Sequence, residues 1–249
     1  MKAIFVKREF GILAFLVVYM LLLELMTNLL HFHVNSAFAA ILIQDLPILL
    51  LLLLFNVKFF KQKILFDSYP IGKTMGLNFL TILYLVIAFA MISHEHSSIL
   101  TVLSNVITIA VVAITEEFIF RGLILGNYVK RGKNLWLAVG ISSVYFGLTH
   151  LINLTHQNLY NTSLQVIYAI ALGILLATIY LKTNNFIYPV LLHFSIDFAA
   201  ITVGNGNLNS TSATPISVLI LCIMIAAIVV PYLLTGKKQL AKFRSNMIE

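Results

Sequence analysis

Glu116, Glu117 and Arg121 sit inside a stretch, Ile99 to Asn127, that is otherwise apolar enough to span a bilayer. A charged side chain near the bilayer centre costs roughly 2.5–3.5 kcal/mol on insertion scales. Three so close together must pair, face the protein interior and serve some purpose. On a helix, residues four apart share a face while neighbours diverge by about 100°. Glu117 and Arg121 are thus spaced for an ion pair, and Glu116 points elsewhere, toward Phe120. One carboxylate is neutralised structurally; the other is left to act. Burial makes a carboxylate a better base, so it can take a proton from water. A packing network of the kind found in transporters would use the same residues, and this motif alone does not separate the two.

Two later stretches add the remaining candidates. In Phe146-Gly147-Leu148-Thr149-His150, the histidine shares a stripe with Gly140, Ser143 and Gly147. Small residues on one face let helices approach closely in a membrane, so His150 is expected to face the bundle. In Pro189 to Asp197, the proline fits a first helical turn, where its missing N–H does no harm. His193 and Asp197 are then one turn apart on one face, a spacing that presents two metal ligands or lets a carboxylate orient an imidazole. Each has a plainer reading, as a histidine bonded to a carbonyl or a satisfied His–Asp pair. Together they supply the group types needed to activate water and stabilise an oxyanion. Ser195 points off the His193 face, which excludes Ser–His–Asp logic, and no phosphate-cradling glycine loop appears.

The elements that must position these groups are membrane helices. Of the 249 residues, 60% are hydrophobic and 10% charged, with mean hydropathy +0.99, too few charges to solvate a soluble domain's surface. Runs able to cross the ~30 Å hydrocarbon core fall at about 10–31, 37–57, 75–93, 99–127, 135–153, 163–181, 186–203 and 215–234. The sequence therefore predicts an all-α polytopic membrane protein, one integral-membrane domain over 1–249, with eight transmembrane helices and cytoplasmic N- and C-termini. Fifteen of its 16 Lys and Arg fall in the segments this topology puts inside, at 2–8, 58–73, 130–133, 182 and 237–244, and the sixteenth is Arg121. That asymmetry is the positive-inside signature. The net charge of +7 suits an anionic inner leaflet, and nothing reads as nucleic-acid binding. Ala37-Phe38-Ala39 looks like a small-residue cleavage site, but the apolar stretch before it exceeds the usual 7–15 residues of a signal peptide, so an uncleaved helix is expected. Cys222, the lone cysteine, excludes an internal disulfide and reads as a small buried residue.

Glu116-Glu117-x-x-x-Arg121, then Phe146-x-x-x-His150, then His193-x-x-x-Asp197, in this order on successive apolar helices, resembles the CPBP family. These are the CAAX-protease and bacteriocin-processing, or Abi, intramembrane proteins. The resemblance covers roughly Ile99 to Val203 and implies a helical intramembrane endopeptidase whose glutamate and histidines cluster around a water. It implies that Glu116 is the water-activating base, assisted by His150, and that Glu117 belongs to the same catalytic set, paired with Arg121. His193 and residue 197 would stabilise the oxyanion or complete a metal site. Many members have Asn where this chain has Asp197; an ionised Asp would repel an oxyanion, which favours an orienting or metal-binding role. Glu116, His150, His193 and Asp197 are also the candidate ligands for a divalent metal such as zinc, although His-Glu-x-x-His is absent and a glutamate–water mechanism without metal is equally open.

Counting ~1.5 Å per residue from the inner helix ends puts Glu116 about 16 Å deep, His193 about 10 Å and His150 about 22 Å. One plane then requires the fifth helix to tilt or to begin later. Glu24 and Asp45 fall at similar depths and are expected to be protonated, hydrogen-bonded together, or near His31 or His33, in a structural role with a place on a substrate path as the alternative. His94, Glu95, His96 and His156 read as outer-loop residues. Trp136 and Tyr128 read as belt anchors, and Ala169, Gly173 and Ala177 as a close helix contact. The sequence points to an endopeptidase acting on a peptide or membrane-tethered substrate in or beside the bilayer, in a bacterial plasma membrane. Composition compatible with a Gram-positive bacterium, together with the resemblance, implies peptide maturation or self-immunity. A non-proteolytic scaffold or immunity protein and a proton-coupled small-solute transporter are the alternatives.

Overall fold

The computed structural model describes Gly11 and residues 45–68, 71–95, 98–155, 157–203, 215–216, 218–219, 221–223, 225, 229–230 and 237–248. The first expected span, Glu24, His31, His33, His96, His156 and the Ala37–Ala39 site lie outside the described residues, as do most of the eighth span and the side chains of Asp45, His94 and Glu95. Among the described residues the chain is all helical: α1 (Asp45–Phe55), α2 (Ile71–Glu95), α3 (Ile99–Glu117), α4 (Gly126–Lys130), α5 (Leu135–Thr149), α6 (Leu159–Thr183), α7 (Ile187–Val203) and α8 (Lys237–Ile248). The one extended pairing among them is an isolated bridge, Phe66 with Asn185.

Among the described residues, three helices are long and apolar enough to cross a membrane: Ile99–Lys130, Leu135–Thr155 and Leu159–Thr183. Side chains such as Ile107, Val144, Leu148, Ile167 and Leu191 point outward from the bundle. An apolar exterior over a polar interior suits lipid as solvent. Local chemistry sets the helix ends. Ser98, Asn134 and Asn158 cap α3, α5 and α6 by accepting from Thr101, Trp136 and Asn161 N–H groups, and Asn184 ends α6 in the left-handed conformation, φ 51°. Thr108, Thr115, Thr178 and Thr202 return their hydroxyl protons to carbonyls four residues back, which satisfies them without water.

Between α3 and α4 the helix continues as a π-helix, Phe118–Leu125, with every side chain buried. The wider π turn passes through the centre of the bundle, and Ser142 of α5 donates to the Phe120 carbonyl at 2.7 Å. π turns are rare and gather at functional sites. This one, which adjoins Glu116 and Glu117 and contains Arg121, has no signature in residue type or spacing.

Small residues account for the close helix contacts. A Cβ on Gly147 would collide with Ile170 Cγ1 and lie 2.8 Å from the Val166 carbonyl oxygen, and one on Gly173 would lie 2.9 Å from Ser143 Cβ. These positions lock α5 against α6, with Ala169 and Ala177 buried beside them. Gly140, expected on the same stripe, meets open space. Two further expectations are corrected. Cys222 is exposed, and Tyr128 is buried at 8% while Trp136 remains exposed at 52%. Tyr128 lies on the face of α4 that, with Gly126 and Val129, is buried.

Candidate active site

The site is built where α3 runs into the π turn and meets α7. Glu117 and Arg121 are fully buried, and Arg121 Nη1 lies 2.8 Å from Glu117 Oε1. The guanidinium also donates through Nη2 to the Gly173 carbonyl at 3.4 Å and stacks over Phe146, 4.6 Å from the ring centroid. The ion pair, the carbonyl and the aromatic face offset part of the cost of losing water, while Arg121 Nε and Glu117 Oε2 are buried without a hydrogen-bond partner.

His193 crosses from α7 and joins both carboxylates. Its Nδ1 is 2.9 Å from Glu117 Oε1. Its Nε2 is 3.5 Å from Glu116 Oε2 and 3.3 Å from Asp197 Oδ2. A carboxylate can only accept, so Nδ1 carries a proton toward Glu117. Facing two carboxyl oxygens, Nε2 requires a proton of its own or one held by a carboxyl opposite it. Glu116 is 29% exposed and Asp197 34%, against 0% for Glu117. The two carboxylates on Nε2 are therefore the accessible ones, and the third is sealed behind them.

His150 stands one ring away. The last residue of α5 is Thr149, and a 3-10 turn, His150–Thr155, begins at the histidine. Its Nδ1 lies 3.0 Å from the Phe146 carbonyl. Assigned as donor there, the ring leaves its Nε2 lone pair available. Phe146 packs edge-on to both imidazoles, 5.2 Å from His150 and 5.6 Å from His193. α5 starts at Leu135, where the sequence placed it, so a later start does not remove the depth difference. Phe146, a turn nearer the inner end, bridges it. Phe146 was read only as part of a motif, and its role as the wedge between Arg121 and both histidines shows in the structure alone. Ser195 donates to the Leu192 carbonyl at 2.8 Å and is buried.

Among the described residues, no three His, Cys, Asp or Glu side chains are grouped to hold a metal ion. As these side chains stand, they do not form a zinc site.

A bundle with an apolar exterior and an interior cluster of carboxylates and imidazoles is the architecture of a helical membrane protein with a polar centre. Residues 97–199 match the family model described as Rce1-like, type II CAAX prenyl endopeptidase Rce1-like. The match contains all three motifs and agrees with the CPBP resemblance drawn from them, supporting a CAAX-protease type of hydrolase. No curated protein and no solved structure matches the chain.

Proposed function

We propose that this protein is an intramembrane endopeptidase that hydrolyses a peptide bond of a membrane-associated or small peptide substrate with a carboxylate-activated water. The observation that carries the reading is the pair of partly exposed carboxylates, Glu116 and Asp197, bracketing one nitrogen of a histidine whose other nitrogen is fixed by Glu117. Glu116 accepts the proton of the attacking water as it adds to the scissile carbonyl, and delivers it to the leaving amine as the C–N bond breaks. His150, its Nδ1 held by the Phe146 carbonyl, helps to orient that water. Asp197 keeps His193 against Glu116 and is itself unsuited to an oxyanion, so the oxyanion is stabilised from the His193 side. No step is routed through a metal.

The protein is multi-pass, with eight spans and both termini cytoplasmic, in a bacterial plasma membrane. Supporting this, contacts gather the basic segments at one end of the bundle: Arg244 reaches the carbonyls of Val129 and Lys133, and Asp67 joins Asn184 and Asn246. Glu116→Gln and His150→Ala should each abolish peptide cleavage by purified protein in lipid while leaving membrane insertion and unfolding midpoint unchanged. Cleavage by the Glu116→Gln protein at more than a few per cent of the wild-type rate would overturn the mechanism.

A further inference from the structure

The last described helix, α8, is a short basic segment, Lys237–Ile248. It is seated firmly. Phe243 and Met247 are buried, with Phe243 packed edge-on to Tyr180 at 5.0 Å. Arg244 Nε and Nη2 donate to the Val129 and Lys133 carbonyls at 3.1 and 3.3 Å, closing the C-terminal end of α4. Asn246 donates to Asp67 at 2.7 Å. The segment Lys61–Ser68, which holds Asp67, in turn lies along the π turn. A Cβ on Gly122 would meet Ile64 Cδ1 at 2.7 Å, and one on Gly126 would meet Met247 Cε at 2.6 Å and Gln62 Nε2 at 2.7 Å. So α8 and Lys61–Ser68 together grip the inner end of the helix that carries Glu116, Glu117 and Arg121.

The outer face of this assembly is cationic. Lys61, Lys63, Lys130, Lys133, Lys238 and Lys242 are exposed around it, and among the described residues Asp67 is the acid at this end, 3.7 Å from Lys242. Phe59, Phe66 and Trp136 are exposed between the lysines, at 59%, 60% and 52%. Aromatics interleaved with basic side chains mark the headgroup level of a membrane.

We infer that α8 is a clamp held in place by anionic lipid headgroups, which bind the lysine rim and so fix the π turn between its gripped end and the Glu117–Arg121 pair. A π turn can exchange register with α-helix, which would rotate Arg121 relative to Glu117, and the clamp holds one register. The inference rests on the membrane reading and is independent of peptidase activity.

The test uses full-length protein in nanodiscs of phosphatidylcholine alone or mixed with phosphatidylglycerol, with backbone hydrogen exchange followed over 126–130 and 237–248. Exchange should be roughly tenfold slower in the anionic discs. Lys63→Gln with Lys133→Gln and Lys238→Gln should erase that difference; Lys242 is spared because it faces Asp67. Phe243→Ala should lose protection in both lipids. Free inorganic phosphate should leave phosphatidylcholine discs unchanged. Equal exchange in the two lipids, a lipid difference that survives the triple substitution, or phosphate reproducing the effect would each overturn the clamp. Glu116→Gln protein should behave as wild type here, so failure of the clamp and failure of the peptidase reading are separable.

Discussion

Removing Arg121 tests whether the Glu117–Arg121 pair is what makes two acids tolerable inside the bundle. Both side chains are fully buried and 2.8 Å apart, and Glu117 Oε1 also takes His193 Nδ1 at 2.9 Å. In Arg121→Met a carboxylate stays buried with one partner. Breaking a buried pair from one side costs about 3–5 kcal/mol, whereas an exposed pair contributes about 0.2–1 kcal/mol. The larger figure corresponds to a rise in the unfolded-to-folded ratio of roughly 150- to 5,000-fold. Methionine fills much of the space beside Phe146, which keeps cavity effects small.

Adding Glu117→Gln to Arg121→Met removes the orphaned charge while leaving an amide oxygen for His193 Nδ1. Replacing a buried pair by neutral groups is often neutral or stabilising, so the double variant should be more stable than Arg121→Met by about 2 kcal/mol or more. Both are read by equilibrium unfolding in mixed micelles, followed by far-UV circular dichroism. A cost under about 1 kcal/mol for Arg121→Met, the range of exposed pairs, would refute the burial argument. So would a double variant no more stable than the single one.

Gly147→Ala should destabilise the protein by about 1–3 kcal/mol, because its Cβ would strike the Val166 carbonyl oxygen at 2.8 Å, while Gly140→Ala, facing open space, should leave the unfolding midpoint unmoved. Equal effects at the two glycines would contradict the α5–α6 packing. Treatment with EDTA or 1,10-phenanthroline should leave peptide cleavage unchanged, and metal analysis of active protein should find no stoichiometric zinc; loss of cleavage restored by added zinc would reverse the metal-free reading.

Much of the site was legible because burying charge in an apolar chain leaves few solutions. Glu117 and Arg121 could be paired from spacing alone, since a helix puts residues four apart on one face and the membrane penalises leaving either unpaired. The His193–Asp197 turn followed by the same rule. What spacing could not supply is which helices touch. That His193 bonds Glu117 across 76 positions in sequence, that Phe146 separates the two histidines, and that α8 seats Phe243 on Tyr180 are all contacts between helices whose apolar faces look alike. Tyr128 was misread for a related reason: lipid and protein interior are both apolar, so hydropathy cannot tell an outward aromatic from an enclosed one.

The π turn is the deepest of these gaps, and it bears on how the site works. Over Phe118–Leu125 the residues are apolar or small apart from Arg121, and α-helix would be an equally good local choice. The wider turn is selected by its surroundings: Ser142 takes the Phe120 carbonyl, Gly122 admits Ile64, and Gly126 admits Met247 and Gln62. Each of those partners comes from a distant segment. The register that places Arg121 against Glu117, and through Glu117 fixes His193 before Glu116 and Asp197, is therefore a property of the assembled bundle. A short motif on one helix names the reacting groups; their alignment is set by side chains that distant segments bring against the π turn.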